Sequence, residues 1–228
     1  MSVYGGPKVI TNNLYLHLDA ANTKSYPGNG TIWYDLSGNG INVTLTNGPT
    51  FDSTNMGSIL FDGSNDYGSA SLSVSLSSMT LEITFNVENG AFNWNNIAVL
   101  DTGSAEIMLE YGGFNGSPLT NGYLRYYNVN ESDTLASASQ YIGDFRKHVA
   151  CLSVGNSVIT SYFDGVLQGS SALTTSALNF NRLTLGNDLY RGSRPLKCRI
   201  YQVKIYNRGL SSEEVYSNYL ATRNRFGI

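Results

Sequence analysis

The sequence contains few charged residues and no run of lysines and arginines. Only 14% of its 228 residues are charged, and the formal net charge is −3. Proteins whose main partner is a nucleic acid carry a basic patch, so this composition disfavours that class of function. Apolar stretches are short as well, and none approaches the ~20 residues that a membrane-spanning helix requires.

Cysteine and histidine are scarce. Cys151 and Cys198 fit no metal-binding spacing, and each lies in a predicted strand, where a lone cysteine acts as a small buried hydrophobe. A disulfide between them is the less favoured alternative for a protein made in a cytoplasm. His17 and His148 lie in separate predicted strands without a second histidine nearby. We therefore expect a packed or hydrogen-bonded histidine rather than a zinc site.

The first ten residues lack the apolar segment of a secretory signal peptide. We therefore expect the protein to be synthesised in a cytoplasm. A protein of this kind that acts outside the cell would leave by another route.

Glycine and tyrosine are abundant, with 24 and 16 residues. Glycine suits tight turns and tyrosine suits strands, whereas long helices are poorly served by this composition. Hydrophobic residues make up 41% of the chain, which is enough for a sizeable core. No linker-like segment divides the sequence, so we predict one all-β domain over 1–228, with residues 1–12 as an N-terminal arm.

The most regular alternation lies near the end of the chain. Tyr201, Val203 and Ile205 alternate with Gln202 and Lys204. This period predicts a strand with the first three side chains on a core and the other two in water.

A helix start follows this strand. Ser211 and Glu214 have the spacing of a capping box, and Leu210 and Val215 flank them as a hydrophobic staple. The pattern predicts one short capped helix at the C-terminal end.

Further strands are predicted along the whole chain, at 14–18, 43–45, 58–61, 97–100, 107–111, 123–129, 148–154, 157–163 and 182–185. The segment 79–87 alternates clearly, which predicts that Glu82, Thr84 and Asn86 face water. Asp164 and Gly165 form a typical hairpin turn. Roughly a dozen short strands of this kind predict two packed antiparallel sheets.

Several ordered motifs resemble a known family. Tyr15-Leu-His-Leu-Asp-Ala-Ala-Asn22, Trp33-Tyr-Asp-Leu-Ser-Gly-Asn-Gly40 and Ile59-Leu-Phe-Asp-Gly-Ser-Asn-Asp-Tyr67 resemble the N-terminal half of LamG-like jelly-roll domains of the concanavalin A-like lectin/glucanase superfamily. Segments 162–167 and 200–215 resemble its middle strands and its closing strand and helix. The resemblance implies a two-sheet jelly-roll sandwich, a fold that hosts lectins, glycanases and purely structural modules.

The opening motifs are also similar to domains common in tailed-phage virion proteins. This similarity implies a location on the virion surface, or outside the cell after lysis, which needs no signal peptide. It also implies other virion proteins, or further copies of this chain, as partners.

Retaining glycanases of the superfamily carry three carboxylates at alternate positions of one strand. The nearest match is Glu106-Ile-Met-Leu-Glu110, in which Met108 replaces the central acid. Residues four apart in a strand are separated by ~13 Å, which is too far for a catalytic pair without a bulge. We therefore expect Glu106 and Glu110 to be solvent-facing strand residues and the protein not to be an enzyme.

Acidic and amide side chains occupy glycine-rich turns at the predicted strand ends: Asp19, Asp35, Asn39, Asp62 and Asp66. Their oxygens suit calcium, and the resemblance implies a structural calcium; no other cofactor is expected. The alternative is that these residues stabilise turns by bonding to their own backbone, which needs no ion.

Carbohydrate binding requires exposed aromatic faces with polar groups beside them. The aromatic candidates are Phe92, Trp94, Tyr123, Tyr126 and Tyr127, and the polar candidates are Asn93, Asn95, Asn115 and Asn121. The alternative is that these aromatics cover sheet faces or a contact between subunits.

Three functions of different classes remain. The favoured hypothesis is a non-catalytic virion structural protein, a head-decoration or fibre-associated module with a lectin-like adhesive surface. The second is a lectin that recognises a cell-surface glycan, with or without calcium. The third is a glycan hydrolase, which the missing central acid disfavours.

Overall fold

The computed structural model describes residues 6–89, 95–112, 123–128, 133–141, 144–173 and 178–228. The first eight strands in these ranges are β1 (Leu14–Asp19), β2 (Ile32–Trp33), β3 (Val43–Thr46), β4 (Thr50–Asp52), β5 (Ser58–Asp62), β6 (Tyr67–Ser75), β7 (Met79–Asn89) and β8 (Asn95–Asp101). The others are β9 (Glu106–Gly112), β10 (Tyr123–Asn128), β11 (Asp133–Tyr141), β12 (His148–Gly155), β13 (Val158–Phe163), β14 (Val166–Ala172), β15 (Asn179–Leu185) and β16 (Lys197–Tyr206). One helix, α1 (Ser212–Phe226), follows β16. In the described part of the chain, no helix is long and apolar enough to cross a membrane.

The strands form two antiparallel sheets. The first sheet has the order β14-β13-β12-β7-β16-β5-β4, with β1 beside the C-terminal half of β16. The second sheet has the order β11-β10-β9-β8-β15-β6-β3-β2. The predicted two-sheet sandwich with one C-terminal helix is confirmed. The strand predictions did not include β2, β4, β6 and β11. The first two have only two and three residues, and the other two are made largely of small and polar ones.

The inner faces of the two sheets form one hydrophobic core. Phe85 and Val203 enter it from the first sheet, and Leu109 and Leu183 enter it from the second. All four are essentially inaccessible to solvent, and each such side chain contributes about 1.5–3 kcal/mol by leaving water.

The predicted helix start is confirmed. Ser211 is the N-cap; its Oγ accepts the Glu214 N–H at 3.3 Å, and its own N–H donates to Glu214 Oε2 at 3.0 Å. The staple residues Leu210 and Val215 are both buried in a small cluster beneath the helix. At the other end, Gly227 ends α1 in the left-handed conformation (φ 70°), which glycine adopts without steric cost.

The outer face of the first sheet was predicted wrongly. Gln202, Lys204, Glu82, Thr84 and Asn86 were expected in water, yet all five are buried. The cause is α1, which covers this face with the buried residues of its inner side. Alternation identified the two faces correctly, but it does not reveal that a helix covers the polar one.

A buried ion pair joins the sheet to the helix. Lys204 Nζ donates to Glu82 Oε1 at 2.6 Å, and Asn218 of α1 donates to Glu82 Oε2 at 2.9 Å and to the Tyr206 hydroxyl at 3.0 Å. The N-terminal arm completes the network, since the Ile10 N–H donates to Asn218 Oδ1 at 2.8 Å. Buried charges are tolerated only when they are paired and hydrogen-bonded in this way.

Tyr201 also departs from the prediction. The register of β16 against β7 shifts between Ile200 and Gln202. A bulge of this kind places consecutive residues on one side of the sheet. The Tyr201 ring consequently contacts Phe226 of α1, with ring centroids 5.6 Å apart, instead of joining Val203 in the core.

The two cysteines lie on opposite faces of the first sheet. Cys151 is in the cluster beneath α1 with Tyr162, whereas Cys198 is in the main core. Both are buried free thiols, as the favoured interpretation expected.

Replacement of Lys204 by methionine tests the buried pair. Lys204→Met leaves the Glu82 carboxylate uncompensated, and loss of one partner of a buried pair costs about 3–5 kcal/mol. The double variant Lys204→Met/Glu82→Gln removes the charge and is expected to recover most of this loss. Urea unfolding followed by circular dichroism measures both. A single variant as stable as the wild type would show that the pair is not buried in solution.

Candidate functional site

A cleft of about 620 Å³ lies at the C-terminal end of α1. The helix contributes Tyr219 and Phe226, and the outer face of the first sheet contributes Asn86 and Tyr201. A further wall is the segment 144–148, which precedes and opens β12. This volume falls within the range of about 300–1,000 Å³ that is typical of small-molecule sites.

The hairpin turn at Asp164 and Gly165 borders the cleft. Both residues have positive φ angles, 49° and 77°, as a two-residue hairpin turn requires, so the predicted turn is confirmed. Glycine has a second role here, because a Cβ at Gly165 would lie 2.7 Å from the Tyr219 ring. The turn therefore packs directly against α1.

His148 lies between two carboxylates. Its Nδ1 is 2.9 Å from Asp164 Oδ2, and its Nε2 is 3.1 Å from Asp144 Oδ1. Burial by itself lowers the pKa of His148, but the hydrogen bonds to Asp164 and Asp144 outweigh it and raise the pKa above its ordinary value of 6.5. The ring also packs against the Phe163 ring, with centroids 4.6 Å apart and the planes tilted by 33°. The expectation of a packed, hydrogen-bonded histidine is confirmed.

Phe145 stands on the rim of the cleft in an unusual conformation. Its φ is 60°, a left-handed value that is rare for a bulky residue, and 53% of its surface is exposed. Such strain costs about 1–3 kcal/mol and persists only where neighbouring contacts impose it. Here one carboxylate oxygen, Asp144 Oδ1, accepts the Arg146 N–H at 3.0 Å and lies 3.1 Å from His148 Nε2.

The polar groups on the sheet side of the cleft are held by one another. The Tyr201 hydroxyl donates to Asn86 Oδ1 at 2.8 Å, and Asn86 Nδ2 donates to Glu88 at 3.1 Å. Arg199 donates to the same Glu88 oxygen at 2.7 Å. The Lys147 ammonium lies 5.7 Å from the Tyr201 ring centroid. These bonds pre-organise the side chains that a ligand in the cleft would meet.

Glu106 and Glu110 do not face solvent, so that expectation was wrong. Both are fully buried; Glu106 is ion-paired with Arg191, and Glu110 Oε1 lies 3.5 Å from Arg194 Nη1. Burial, and then the negative charge of Asp188, raise the pKa of Glu106 to about 7, although the two arginines oppose the shift.

The loop between β15 and β16 explains this burial. Asp188 Oδ1 accepts the N–H groups of Tyr190 and Arg191 at 2.8 and 2.9 Å, and Asn96 of β8 donates to Asp188 Oδ2 at 3.3 Å. The loop is thereby fixed over the outer face of the second sheet. The i, i+4 spacing of the two glutamates contains no signal of a loop some eighty residues away.

Asp19 is used inside the protein. Its two carboxylate oxygens accept bonds from both terminal nitrogens of Arg225 at 2.6 Å, and Gln202 donates to it at 2.8 Å. This ion pair connects the end of β1 to the last turn of α1.

The other predicted calcium ligands serve two separate turns. Asp35 and Asn39 share Ser37, whose hydroxyl donates to Asp35 at 2.6 Å and accepts from Asn39 at 3.0 Å. Asp66 accepts the Asp62 N–H at 3.1 Å in a turn of its own. In the described residues, no group of three or more histidine, cysteine, aspartate or glutamate side chains could hold a metal ion. The hydrogen bonds of Asp35, Asn39, Asp62 and Asp66 are of the kind that the turn interpretation expects.

For most of the predicted sugar-binding residues, the side chain is not among the described parts of the structure. Phe92, Asn93, Trp94, Asn115 and Asn121 lie outside the described residues, and Tyr123, Tyr126 and Tyr127 lie on β10, of which the backbone alone is described. Asn95, at the start of β8, is buried and its Nδ2 donates to the Pro195 carbonyl.

Sequence reasoning missed Asp144, Phe145 and Tyr219 as members of the cleft. The one signal present was the turn at Asp164, since the hairpin and the strand that opens at His148 were both predicted. Nothing in the local sequence indicates that Phe145 adopts a positive φ.

Comparisons with known proteins identify similar folds. The Laminin_G_3 family model, described as the concanavalin A-like lectin/glucanases superfamily, matches residues 61–216. A search of curated proteins found no match. Among solved structures, domain 4 of AbnA, a GH43 extracellular arabinanase from Geobacillus stearothermophilus, in complex with arabinotriose, has a TM-score of 0.69 at 17% identity, covering 91% of this chain and 98% of that chain.

Two further similar structures are parts of larger proteins. The botulinum neurotoxin serotype D binding domain has a TM-score of 0.67 at 15% identity, covering 92% of this chain and 52% of that chain. Trypanosoma rangeli sialidase in complex with sialic acid has a TM-score of 0.65 at 17% identity, covering 93% of this chain and 33% of that chain. This chain therefore spans about half of the first and a third of the second, and at such identities the likeness shows the fold alone.

Glu106 gives a pH-dependence prediction. Its pKa rises from 4.5 to about 7 on folding, so the folded state favours the neutral acid, and stability falls as pH increases through this window. In Glu106→Gln, the decrease in the free energy of unfolding over this pH range is expected to be smaller than in the wild type by about 2–3 kcal/mol. Urea unfolding between about pH 4.5 and pH 8 measures it. The control is Glu213→Gln at an exposed site, and equal slopes in both variants would contradict the prediction.

Proposed function

Because the chain belongs to the concanavalin A-like lectin/glucanases superfamily, we propose that it is a non-catalytic carbohydrate-binding module whose ligand occupies the cleft between α1 and residues 144–148. The observation that carries this proposal is the exposed, strained Phe145 on the rim of a polar cleft. Sugars bind where an aromatic ring meets their C–H face and nearby polar groups bond their hydroxyls.

The contents of the cleft fit a sugar. Asn86, Asp144 and Asp164 offer amide and carboxylate groups, and Tyr219 adds a second aromatic ring from α1. The oxygen atoms of Asp144 and Asp164 keep acceptor capacity beyond their bonds to His148, because each ionised carboxylate has about four acceptor positions. Acceptors in fixed positions bond the hydroxyls of a sugar, and the aromatic rings contact its C–H face, so together they favour a sugar over water in the cleft.

Binding without catalysis is supported by the state of the acids. Glu106, the acid whose pKa is raised, is buried on the second sheet, is not among the residues that line the cleft, and is ion-paired with Arg191. Glu110 is paired with Arg194, and Glu88 with Arg199. In the cleft, burial by itself raises the pKa of the Asp144 carboxyl, but the hydrogen bonds from Arg146 and His148 outweigh it and hold that pKa below its usual range. A glycosidase needs one protonated carboxylic acid beside the scissile bond.

The likeness to solved structures agrees with this class of function. The arabinanase domain, which this chain matches over nearly its whole length, has arabinotriose bound. A short neutral oligosaccharide is therefore the first ligand to test. The toxin binding domain and the sialidase match only in part, so their ligands support carbohydrate recognition more weakly.

The test compares two exposed aromatic residues. Phe145→Ala is expected to weaken binding about tenfold, ~1.4 kcal/mol, the size of one lost stacking contact. The matched control Tyr34→Ala removes an aromatic ring that is 44% exposed outside the cleft and is expected to bind as the wild type does. Arabinotriose is titrated by calorimetry, and a glycan array extends the set of probes. Binding that is unaffected by Phe145→Ala would place the site elsewhere, and no binding on the array would overturn the function.

A second proposal is assembly in a phage virion, at the virion surface or outside the cell after lysis. It is supported by the resemblance of the opening motifs and by exposed apolar residues at one sheet edge. Val166 and Leu167 of the terminal strand β14 are 59% and 55% exposed, and they lie next to the turn of its hairpin with β13. Exposed strand edges pair readily with other chains.

Light scattering tests this second proposal. A trimer or larger assembly that survives a calcium chelator is expected, and Val166→Ser/Leu167→Ser is expected to reduce it to the monomer. A wild-type monomer would contradict assembly through this edge.

A further inference from the structure

We propose that His148 is a positioning residue that makes ligand binding in the cleft dependent on pH: as an imidazolium it holds Asp144, and thereby Phe145, in the binding conformation, and its deprotonation releases them. The ligand-binding part of this inference rests on the function proposed above, whereas the release of the segment does not.

The geometry requires two protons on the ring. Both ring nitrogens of His148 lie within hydrogen-bond distance of carboxylate oxygens, at 2.9 and 3.1 Å. An ionised carboxylate only accepts, and a neutral imidazole has a single N–H. A neutral ring would therefore set a lone pair against one of the two carboxylates, and the side chain is only 10% exposed, so little water can intervene.

When His148 loses one proton, its contact with Asp144 is lost and its contact with Asp164 is kept. Asp164 is fixed independently, since its Oδ1 accepts the Val149 N–H at 2.8 Å and its own N–H donates to the Val149 carbonyl at 2.8 Å. Among the described residues, Asp144 has no such support from the sheet, and its other bonds there are to Arg146, within its own segment. The remaining N–H therefore stays with Asp164, and Nε2 repels Asp144.

Loss of the contact between His148 and Asp144 changes the conformation of Phe145. Its left-handed φ is held between Asp144 and Arg146, and strained conformations relax when the contacts that impose them are removed. Relaxation carries the exposed ring away from the rim, so a ligand that stacks on Phe145 loses that contact.

Among the described residues near His148, we expect no other group to change charge in the same range. Asp144 and Asp164 face the ring directly, Phe163 packs against it at a tilt and Phe85 pairs with it across the sheet. The remaining ionisable side chains of the cleft are Glu88, Arg146, Lys147, Tyr201 and Tyr219. Carboxylates, lysine, arginine and tyrosine ordinarily keep one charge state between about pH 6 and pH 9. A single transition is therefore expected.

The sign follows from the two carboxylates. They raise the pKa of His148 above its ordinary value. The contacts of the protonated ring with Asp144 and Asp164, which we call the clamp, are therefore complete below the ordinary pKa of histidine. They are lost as pH rises through the higher pKa of the folded state. The affinity for arabinotriose is expected to fall about fivefold or more on raising the pH from about 6 to about 9, which is the lower end of typical coupling between sites.

Nuclear magnetic resonance of the full chain tests the clamp directly. The His148 ring and the Phe145 backbone amide are followed from about pH 5 to about pH 9. Both are expected to titrate with one midpoint above 6.5. Asp144→Asn provides the matched variant, because the neutral amide removes the charge that pairs with the imidazolium, while its oxygen can still accept the Arg146 N–H. In that variant the Phe145 signal is expected to stay constant and the affinity to become independent of pH.

The outcomes separate this inference from the proposed function. A Phe145 amide that does not follow the His148 titration overturns the clamp, whatever binds. An Asp144→Asn variant that keeps the full pH step in the Phe145 signal also overturns it. A signal that follows the titration in a protein that binds no glycan supports the clamp and overturns the proposed function.

Discussion

The buried Lys204–Glu82 ion pair is the constraint on which the rest of the structure depends. It lies on the polar face of the central strands β7 and β16, where water would be expected from the sequence. Two charges can remain there only under a cover that completes their hydrogen bonds, and Asn218 of α1 completes them. The helix is thus required by the chemistry of the sheet as much as by its own apolar residues. Its position in turn creates the cleft, because the sheet is left open where the helix ends.

Acidic residues are also buried on the outer face of the second sheet, where a loop covers them instead of a helix. There a loop fixed by Asp188 brings Arg191 and Arg194 onto Glu106 and Glu110. In both sheets, acidic residues at alternate positions meet cations or amides that are distant in sequence. Part of each outer face is consequently buried: Glu82 and Lys204 beneath α1 on the first sheet, and Glu106 and Glu110 beneath the loop on the second.

Local sequence patterns predicted local structure well. The capping box at Ser211, the turn at Asp164 and the inward side chains of β7 depend on neighbours within a few residues, and all were confirmed. The burial of Lys204 depends on a helix that a periodicity argument does not place, and the side of Tyr201 depends on a bulge. For the site, the sequence indicated a bonded His148 but not its two partners or the conformation of Phe145. These are properties of tertiary contacts, which composition and spacing do not contain.

The N-terminal arm crosses the helix that ends the domain. The Ile10 N–H reaches Asn218 across 208 positions of sequence, the Tyr206 hydroxyl donates to the Ile10 carbonyl, and β1 pairs with β16. During synthesis, the first strand must wait unpaired until almost the whole chain has left the ribosome. Folds dominated by such distant contacts form slowly. Until β16 is synthesised, the edges of β1, β5 and β7 with which it will pair are surfaces that a chaperone, or a second nascent chain, can contact.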